Sequence, residues 1–182
     1  IHIMTIMIGG GDIYSDDHVT LSGDGARLDA DTAYLGKNSQ TIDYNIVADH
    51  FGKKTESLIT VNGALTDSAK KVFRGTIDFK KGSADSVGSE NETVLMLGDD
   101  VVNKTVPLIL CAEENVEGTH GATIGELDAD TMFYFESRGI DRETAEKIMA
   151  YAAVERLIHM AEDSEFAAEV EEDMGIKTDT EE

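Results

Sequence analysis

Short apolar runs separated by turn-forming residues dominate the chain from His2 to Ala112. The runs are rich in β-branched and aromatic residues, and most of their centres lie about 14 residues apart. These centres fall near Thr20, Tyr34, Val47, Ile59, Phe73, Leu95 and Ile109. Apolar and polar residues alternate in Glu56–Val61 and Phe73–Phe79, which is typical of half-buried strands. The pattern therefore predicts stacked β layers.

No helical period of useful length precedes Leu127, which argues against alternating strands and helices. Glycines between the apolar runs supply the turns. Pro107 is the single proline, and we place it at the entry of the last strand, where a missing N–H costs least. A β-sandwich and a parallel β-solenoid both fit this spacing, and the spacing alone does not choose between them.

Helix signals begin only after the strands, where capping residues and apolar positions at helical spacing appear together. The predicted helices start after Asp128, after Asp141 and at Ser164, and they end near Gly139, Glu162 and Gly175. The chain is therefore expected to divide into a β core over 1–126, a helical segment over 127–175 and an acidic tail over 176–182.

The charge of the chain excludes some classes of partner. With 37 acidic and 15 basic residues, the formal net charge of −22 repels phosphate backbones and anionic lipids. No stretch approaches the roughly 20 apolar residues of a membrane span, and the lone Cys111 cannot form an internal disulfide. A cytoplasmic location is expected. Because the chain starts without Met inside a predicted strand, we expect it to be the latter part of a longer protein.

Few residues support an enzyme. The aspartates between Asp12 and Asp31 do not repeat in the register that a calcium-binding β-roll requires. The stretch GGGDIYS lacks the Lys and the following helix of a phosphate loop, so no nucleotide site is expected. No Ser or Cys stands in a nucleophile signature, and Cys111 is predicted to be a buried, inert thiol in an apolar strand.

His120 is the histidine with the strongest case for a metal role. It follows an expected strand end, in a Thr-His-Gly turn just before the first helix. Neutral imidazole is a suitable ligand for iron, although one histidine alone does not make a metal site. The other four have no second ligand at metal spacing and are predicted to be surface or rim residues: His2, His18, His50 and His159.

Several segments resemble the SufB/SufD scaffold family of the SUF iron–sulfur cluster assembly machinery. The run from His120 to Gly139, HGATIGELDADTMFYFESRG, resembles the family hinge HGAT-x-G-x-(L/I)-D-x-x-x-(L/I/M)-FY-x-x-SRGI. VFRGTIDFKKGSAD (Val72–Asp85) is similar to the family's FxGxIxVxxGAxxTD strand pair. LMLGDDVVNKTVPLIL (Leu95–Leu110) is similar to its LLLSDxAxVxTxPxLEI segment, and AEKIMAYAAVERL (Ala145–Leu157) to its closing amphipathic helix. The resemblance covers residues 72–175 closely and the preceding region only loosely.

This resemblance implies a mainly β fold, a right-handed parallel β-helix followed by a C-terminal helical segment that docks the ABC-type ATPase SufC. It also implies pairing with a second SufB- or SufD-like chain, as a homodimer or a heterodimer. A transient iron–sulfur cluster would be built where the two β-helices meet, near His120. The positions that we expect to contact a partner are Phe133, Tyr134, Arg138, Gly139, Met149 and Tyr151.

Two cysteines of the family are absent from this chain. The cysteine that SufB-like members carry after the GD turn corresponds to Val101, and the one that SufD-like members often carry before the histidine corresponds to Gly118. Cys111 matches neither position. Gly121 follows the histidine, as in the SufD-like form, where SufB-like members have Glu. The resemblance therefore implies that His120 would share the ligands of a cluster with a partner.

The leading interpretation is a non-catalytic scaffold subunit that pairs with another β-helix, binds the ATPase and offers His120 to the assembling cluster. The alternative is a structural paralogue that binds the ATPase without holding a cluster. A carbohydrate-active β-solenoid enzyme would need carboxylates clustered at catalytic separation. Most of the clustered aspartates here fall in turns of the first 31 residues, away from any basic cluster.

Overall fold

Nine strands and three helices make up the computed structural model, which describes residues 1–173. Sheet A contains the odd-numbered strands: β1 (His2–Met7), β3 (Arg27–Gly36), β5 (Glu56–Thr66), β7 (Ser86–Leu97) and β9 (Val116–Glu126). Sheet B contains the even-numbered strands: β2 (Ile13–Leu21), β4 (Thr41–His50), β6 (Lys70–Phe79) and β8 (Val102–Cys111).

Every strand pairs in parallel with the strand two places along the chain, so the chain winds alternately through the two sheets. Partners in register lie between 27 residues apart, as in His2 and Asp29, and 32 apart, as in Lys70 and Val102. The fold is a parallel β-solenoid of about four turns followed by three helices. The predicted β-helix is thus confirmed, and the spacing of about 14 residues corresponds to half a turn.

Alternate residues of each strand point into the space between the two sheets. In β4 the buried positions run from Ile42 to His50 at every second residue, and β6 shows the same alternation from Lys71 to Phe79. The core is mainly aliphatic and aromatic. Each fully buried Ile, Leu or Phe side chain contributes about 1.5–3 kcal/mol relative to exposure, so this interior is the main source of stability.

Carboxylates at the corners link successive turns of the solenoid. Asp12 accepts a hydrogen bond from the backbone N–H of Thr41 at 2.8 Å, and Asp24 accepts one from Lys53 at 2.9 Å. Asp67 accepts in the same way from Asn38 at 2.8 Å. These aspartates satisfy backbone donors at the turns. No group of three or more His, Cys, Asp or Glu side chains in residues 1–173 is placed to hold a metal ion.

His50 is fully buried, so its prediction as a surface or rim residue was wrong. Its Nδ1 lies 2.7 Å from the Thr55 hydroxyl and its Nε2 lies 2.9 Å from the Ser57 hydroxyl. Its ring also packs against Phe79, with 4.7 Å between the ring centroids. Burial lowers the pKa of His50 to about 4, because the charged form loses its hydration. His50 is therefore a neutral core residue, whereas His2, His18 and His159 are exposed as predicted.

Two local predictions near the end of the solenoid were also wrong. His120 lies within strand β9 and not in a turn, because the whole stretch from Val116 pairs with β7. Pro107 lies in the middle of β8, not at a strand entry. The N–H groups of Val102 and Ala112 donate to β6, so alternation along the strand turns the nitrogen of Pro107 toward the free edge. No ladder hydrogen bond is lost there.

The three helices begin where capping side chains were predicted, with one exception. Helix α1 (Ala129–Glu136) is capped by Asp128 and α2 (Arg142–Met160) by Asp141, while Gly139 takes the left-handed φ of +80°. Helix α3 (Ser164–Asp173) starts at Ser164, but the carboxylate of Asp163 accepts its first free N–H groups. The predicted helix end at Gly175 and the acidic tail 176–182 lie outside the described residues.

Helix α2 packs along the outer face of sheet A. A second apolar cluster joins the two elements, and its buried members include Ala33, Leu35, Ala64, Leu97, Ala150, Val154, Leu157 and Ile158. Arg156 of α2 reaches Asp31 of β3 at 2.7 Å, and Asp31 also contacts His2 of β1 at 2.9 Å. Within residues 1–173, none of the helices combines the length and apolar character that a membrane crossing requires.

Candidate functional site

The last turn of the solenoid, formed by β8 and β9, leaves both sheets with a free edge. No strand of the described residues pairs with the outer side of either one. His120 is the register partner of the buried Glu90, so it occupies an inward-facing position of β9, yet its side chain is exposed at the open end. The structure thus places the candidate ligand on an accessible rim.

A buried ion pair lies directly beneath the last turn. The ammonium group of Lys71 on β6 donates to the carboxylate of Glu92 on β7, and both side chains are almost fully buried. Thr105 of β8 joins them, since its hydroxyl donates to Glu92 at 2.6 Å and lies 3.2 Å from the Lys71 nitrogen. Burial lowers the pKa of Lys71 despite the attraction of Glu92.

Glu90 is a second carboxylate in this layer and is only 2% exposed. Among residues 1–173 its side chain has no hydrogen-bond partner. It fills the space beside Gly75 of β6, where a Cβ would overlap the carboxylate. Burial and the neighbouring Glu92 raise the pKa of Glu90 to about 7. We call Lys71, Glu90 and Glu92 the polar layer.

The polar layer was not predicted from the sequence. Lys71 follows Lys70 and looks like its exposed neighbour, and Glu90 and Glu92 look like solvated residues of a polar strand. A signal was present, because Lys71 shares the odd-numbered alternation of the apolar run Phe73–Phe79.

The two positions that lack the family cysteines lie apart from each other. Val101 precedes β8 and packs at the edge of the core, near the end of β7. Gly118 lies near the start of β9, where a Cβ would be 2.7 Å from Cγ2 of Ile109 and 3.1 Å from the ring of Phe79. Cys111 ends β8 with an exposed side chain, so its prediction as a buried thiol was wrong. These three positions form no common metal site.

Replacing Gly118 by Cys is expected to lower the free energy of unfolding by about 1–3 kcal/mol, because the new side chain would overpack against Ile109. Urea unfolding at equilibrium measures the change. Gly121→Cys is the matched control, since a Cβ there would meet only Asn91 at 3.6 Å. In the Gly118→Cys/Ile109→Ala double variant, the loss of unfolding free energy should be smaller than the sum of the losses in the two single variants. Equal stability of the two cysteine variants would contradict the packing conflict.

The predicted partner-binding residues of the helical segment divide by exposure. Phe133 and Tyr134 on α1 are 72% and 54% exposed, and the Arg138 guanidinium lies 4.4 Å from the Tyr134 ring centroid. Met149 on α2 is half-buried. Tyr151 is buried and donates a hydrogen bond to Glu171 of α3 at 2.8 Å, so it holds two helices together. Of these predicted contact residues, the two exposed aromatic side chains therefore lie on α1.

Comparison with known proteins places these features in a family. Residues 1–153 match the family described as SUF system FeS cluster assembly, SufBD core domain. Over 145 residues the chain is 32% identical to the iron–sulfur cluster assembly protein SufD of Bacillus subtilis, which covers 80% of this chain and 33% of that protein. It is 23% identical to SufD of Escherichia coli over 87% of this chain and 38% of that protein.

A chloroplastic iron–sulfur cluster assembly SufBD family protein of Arabidopsis thaliana is 28% identical to this chain. That match covers 87% of this chain and 28% of the plant protein. The chain therefore spans about a third of the length of the curated relatives that it matches.

Proposed function

The chain belongs to the SufB/SufD family of the SUF system, and on that premise we propose that it is a non-enzymatic scaffold subunit for iron–sulfur cluster assembly. The observation that carries the proposal is the exposed imidazole of His120 at the open end of a parallel β-solenoid. A cytoplasmic location is part of the proposal, supported by the single cysteine.

The proposed pairing partner is a second SufB- or SufD-like β-solenoid that covers the open end. Free strand edges are stable in solution only when they are paired, covered or protected by charge. Strand β9 carries no Lys, Arg or Pro, whereas β8 has Lys104 and Pro107 at its edge. The outer face of β8 next to this end presents Val106, Leu108 and Leu110, each 38–46% exposed. These features favour coverage by another protein surface.

The proposed motor partner is a SufC-like ABC ATPase that docks on the helical segment. Phe133 and Tyr134 provide an exposed aromatic surface on α1, which is the composition of many protein interfaces. Helix α2 joins that surface to sheet A through buried apolar contacts. ATP would be bound by the ATPase and not by this chain, which has no phosphate loop.

His120 would supply one ligand, or one transient contact, to a cluster that is the cargo of the complex. Imidazole binds iron readily when neutral. The other ligands would come from the partner, because Val101 and Gly118 replace the family cysteines and the described residues hold no three-ligand group. Assembly of the cluster at the junction of the two solenoids would satisfy this requirement.

Replacing His120 by Ala is expected to reduce cluster formation by about tenfold or more, because even the loss of an outer-shell partner typically costs about 10–100-fold in metal affinity. The readout is iron–sulfur absorbance after anaerobic reconstitution of the complex with the ATPase and a SufB-like chain. His18→Ala is the matched control, because His18 is exposed on the outer face of β2. Equal cluster yield from the two variants would reject a ligand role for His120.

A structural paralogue that binds the ATPase without holding a cluster is the second candidate, favoured by the absence of thiolates at Val101 and Gly118. The same reconstitution separates the two candidates. Co-elution of the ATPase with wild-type chain and no cluster absorbance would support the paralogue, whereas cluster absorbance lost only in His120→Ala would support the scaffold.

A further inference from the structure

The last turn packs on a layer unlike the one beneath the other turns. Between β4 and β6 the register places buried Tyr44 against Phe73, with 5.6 Å between the ring centroids, and buried Ala48 against Ile77. Under β8 and β9, by contrast, the polar layer of Lys71, Glu90 and Glu92 lies beside the apolar residues Phe73, Ile77 and Phe79. Three ionisable side chains therefore lie between the last turn and the body of the solenoid.

The inner face of the last turn matches this layer poorly. Thr105 is the residue of β8 and β9 that hydrogen-bonds to it. The side-chain oxygen of Asn103 is buried and has no hydrogen-bond partner within residues 1–173. Pro107 faces the position of Gly75 and Glu90 and contributes no side-chain donor. Apolar packing of this turn lies toward its two ends, with Val101 at one end and Ile109, beside Gly118 and Phe79, at the other.

Opening the last turn would therefore have two opposing effects on free energy. It would lose some apolar contacts, but it would also return Lys71, Glu90 and Glu92 to water. Burying the charges of Lys71 and Glu92 costs hydration free energy that their mutual attraction only partly offsets, and hydration on opening recovers part of that cost. Opening the solenoid between β4 and β6 would instead expose mainly aromatic and aliphatic side chains, such as Tyr44, Phe73 and Ile77, which recover little hydration.

We infer that the turn formed by β8 and β9 opens locally from the polar layer while the turns below it stay folded. Thr105 and Glu92 fix the docked register, because their hydrogen bond forms only when β8 is aligned on β6. His120 is carried by this turn, so its position depends on docking. The inference stands independently of any cluster role for His120.

Hydrogen–deuterium exchange of the full chain, followed by mass spectrometry, tests the inference. Peptides covering residues 102–126 should show protection at least about tenfold lower than peptides covering 41–79. Useful reporters are amides of β8 at the even positions, which donate to β6 and not to the free edge. Equal protection in the two regions would overturn the inference.

Two variants test whether the polar layer causes the low exchange protection of the last turn. Lys71→Met/Glu92→Leu, which removes the ion pair from the layer and leaves Glu90, should raise protection in 102–126 by about tenfold and leave β4 unchanged. Thr105→Val keeps the shape of the side chain but removes its hydrogen bonds, and it should lower protection of β8 by about fivefold. Thr123→Val is the matched control, because Thr123 is exposed on the outer face of β9.

A double variant whose protection changes equally in β4 and β8 would contradict the inference. If that variant does not fold, the comparison of Thr105→Val with Thr123→Val decides alone. The same exchange in both would then overturn the inference, and faster exchange of β8 only in Thr105→Val would support it.

Discussion

Replacing Lys71 by Met is expected to lower the free energy of unfolding by about 3–5 kcal/mol, the cost of breaking a buried ion pair by removing one partner. The methionine would fill much of the lysine volume, so the loss would come from Glu92. That carboxylate would remain buried next to Glu90 with only Thr105 as a donor. Two neighbouring carboxylates without a cation would then oppose folding.

Urea or guanidinium unfolding at pH 7 measures this change. Lys70→Met is the matched control, because Lys70 is the adjacent residue on β6 and is exposed. The double variant Lys71→Met/Glu92→Leu should recover most of the lost stability, since an apolar pair of similar volume often replaces a buried ion pair at little cost. Similar unfolding free energies for Lys71→Met and Lys70→Met would contradict this prediction and would show that the Glu92 carboxylate is hydrated in the folded protein.

Acidification from pH 6.5 to pH 4 is expected to destabilise the Glu90→Gln variant by about 3 kcal/mol while affecting the wild type much less over most of that range. The cause is His50, whose folded pKa of about 4 lies below its ordinary value of 6.5. Between these values the unfolded chain binds a proton that the folded chain does not. Stability contributed by neutral His50 is therefore complete above pH 6.5 and is lost as pH falls.

Glu90 has the opposite dependence in the wild type. Its folded pKa of about 7 lies above its ordinary value of 4.5, so between these values the folded chain binds the extra proton. Stability from protonated Glu90 is complete below pH 4.5 and is lost as pH rises toward 7. The two effects offset each other from pH 4.5 to 6.5, and removing Glu90 exposes the His50 effect. Parallel stability profiles for wild type and Glu90→Gln, measured in half-unit steps at constant salt, would contradict this account.

The fold could be predicted largely from the spacing of the strands and the resemblance taken together. The spacing of about 14 residues located every strand from β2 to β8, but it fitted a sandwich equally well. Strand β9 was missed because Gly118 and Gly121 beside a histidine look like a turn. Gly118 is favoured by its close approach to Ile109 on β8 of the opposite sheet, and local sequence does not show such a contact.

The candidate site was predictable only in part. His120 could be chosen from the motif, but its place on a strand edge depends on pairing with β7. The predicted exposure of His50 and Cys111 was wrong because the exposure of a strand residue depends on whether another turn of the solenoid covers it. His50 lies in an interior turn and is covered by Thr55 and Ser57, whereas Cys111 ends a strand of the terminal turn.

The attachment of α2 to sheet A has a mechanical consequence. Apolar side chains of α2 are buried against three successive strands, and Arg156 adds an ion pair to β3. Helix α1, by comparison, has most of its contacts with α2. A force applied to the aromatic surface of α1 would therefore turn α2 together with β3, β5 and β7, and any bending would fall at the short connection around Gly139 between the two helices.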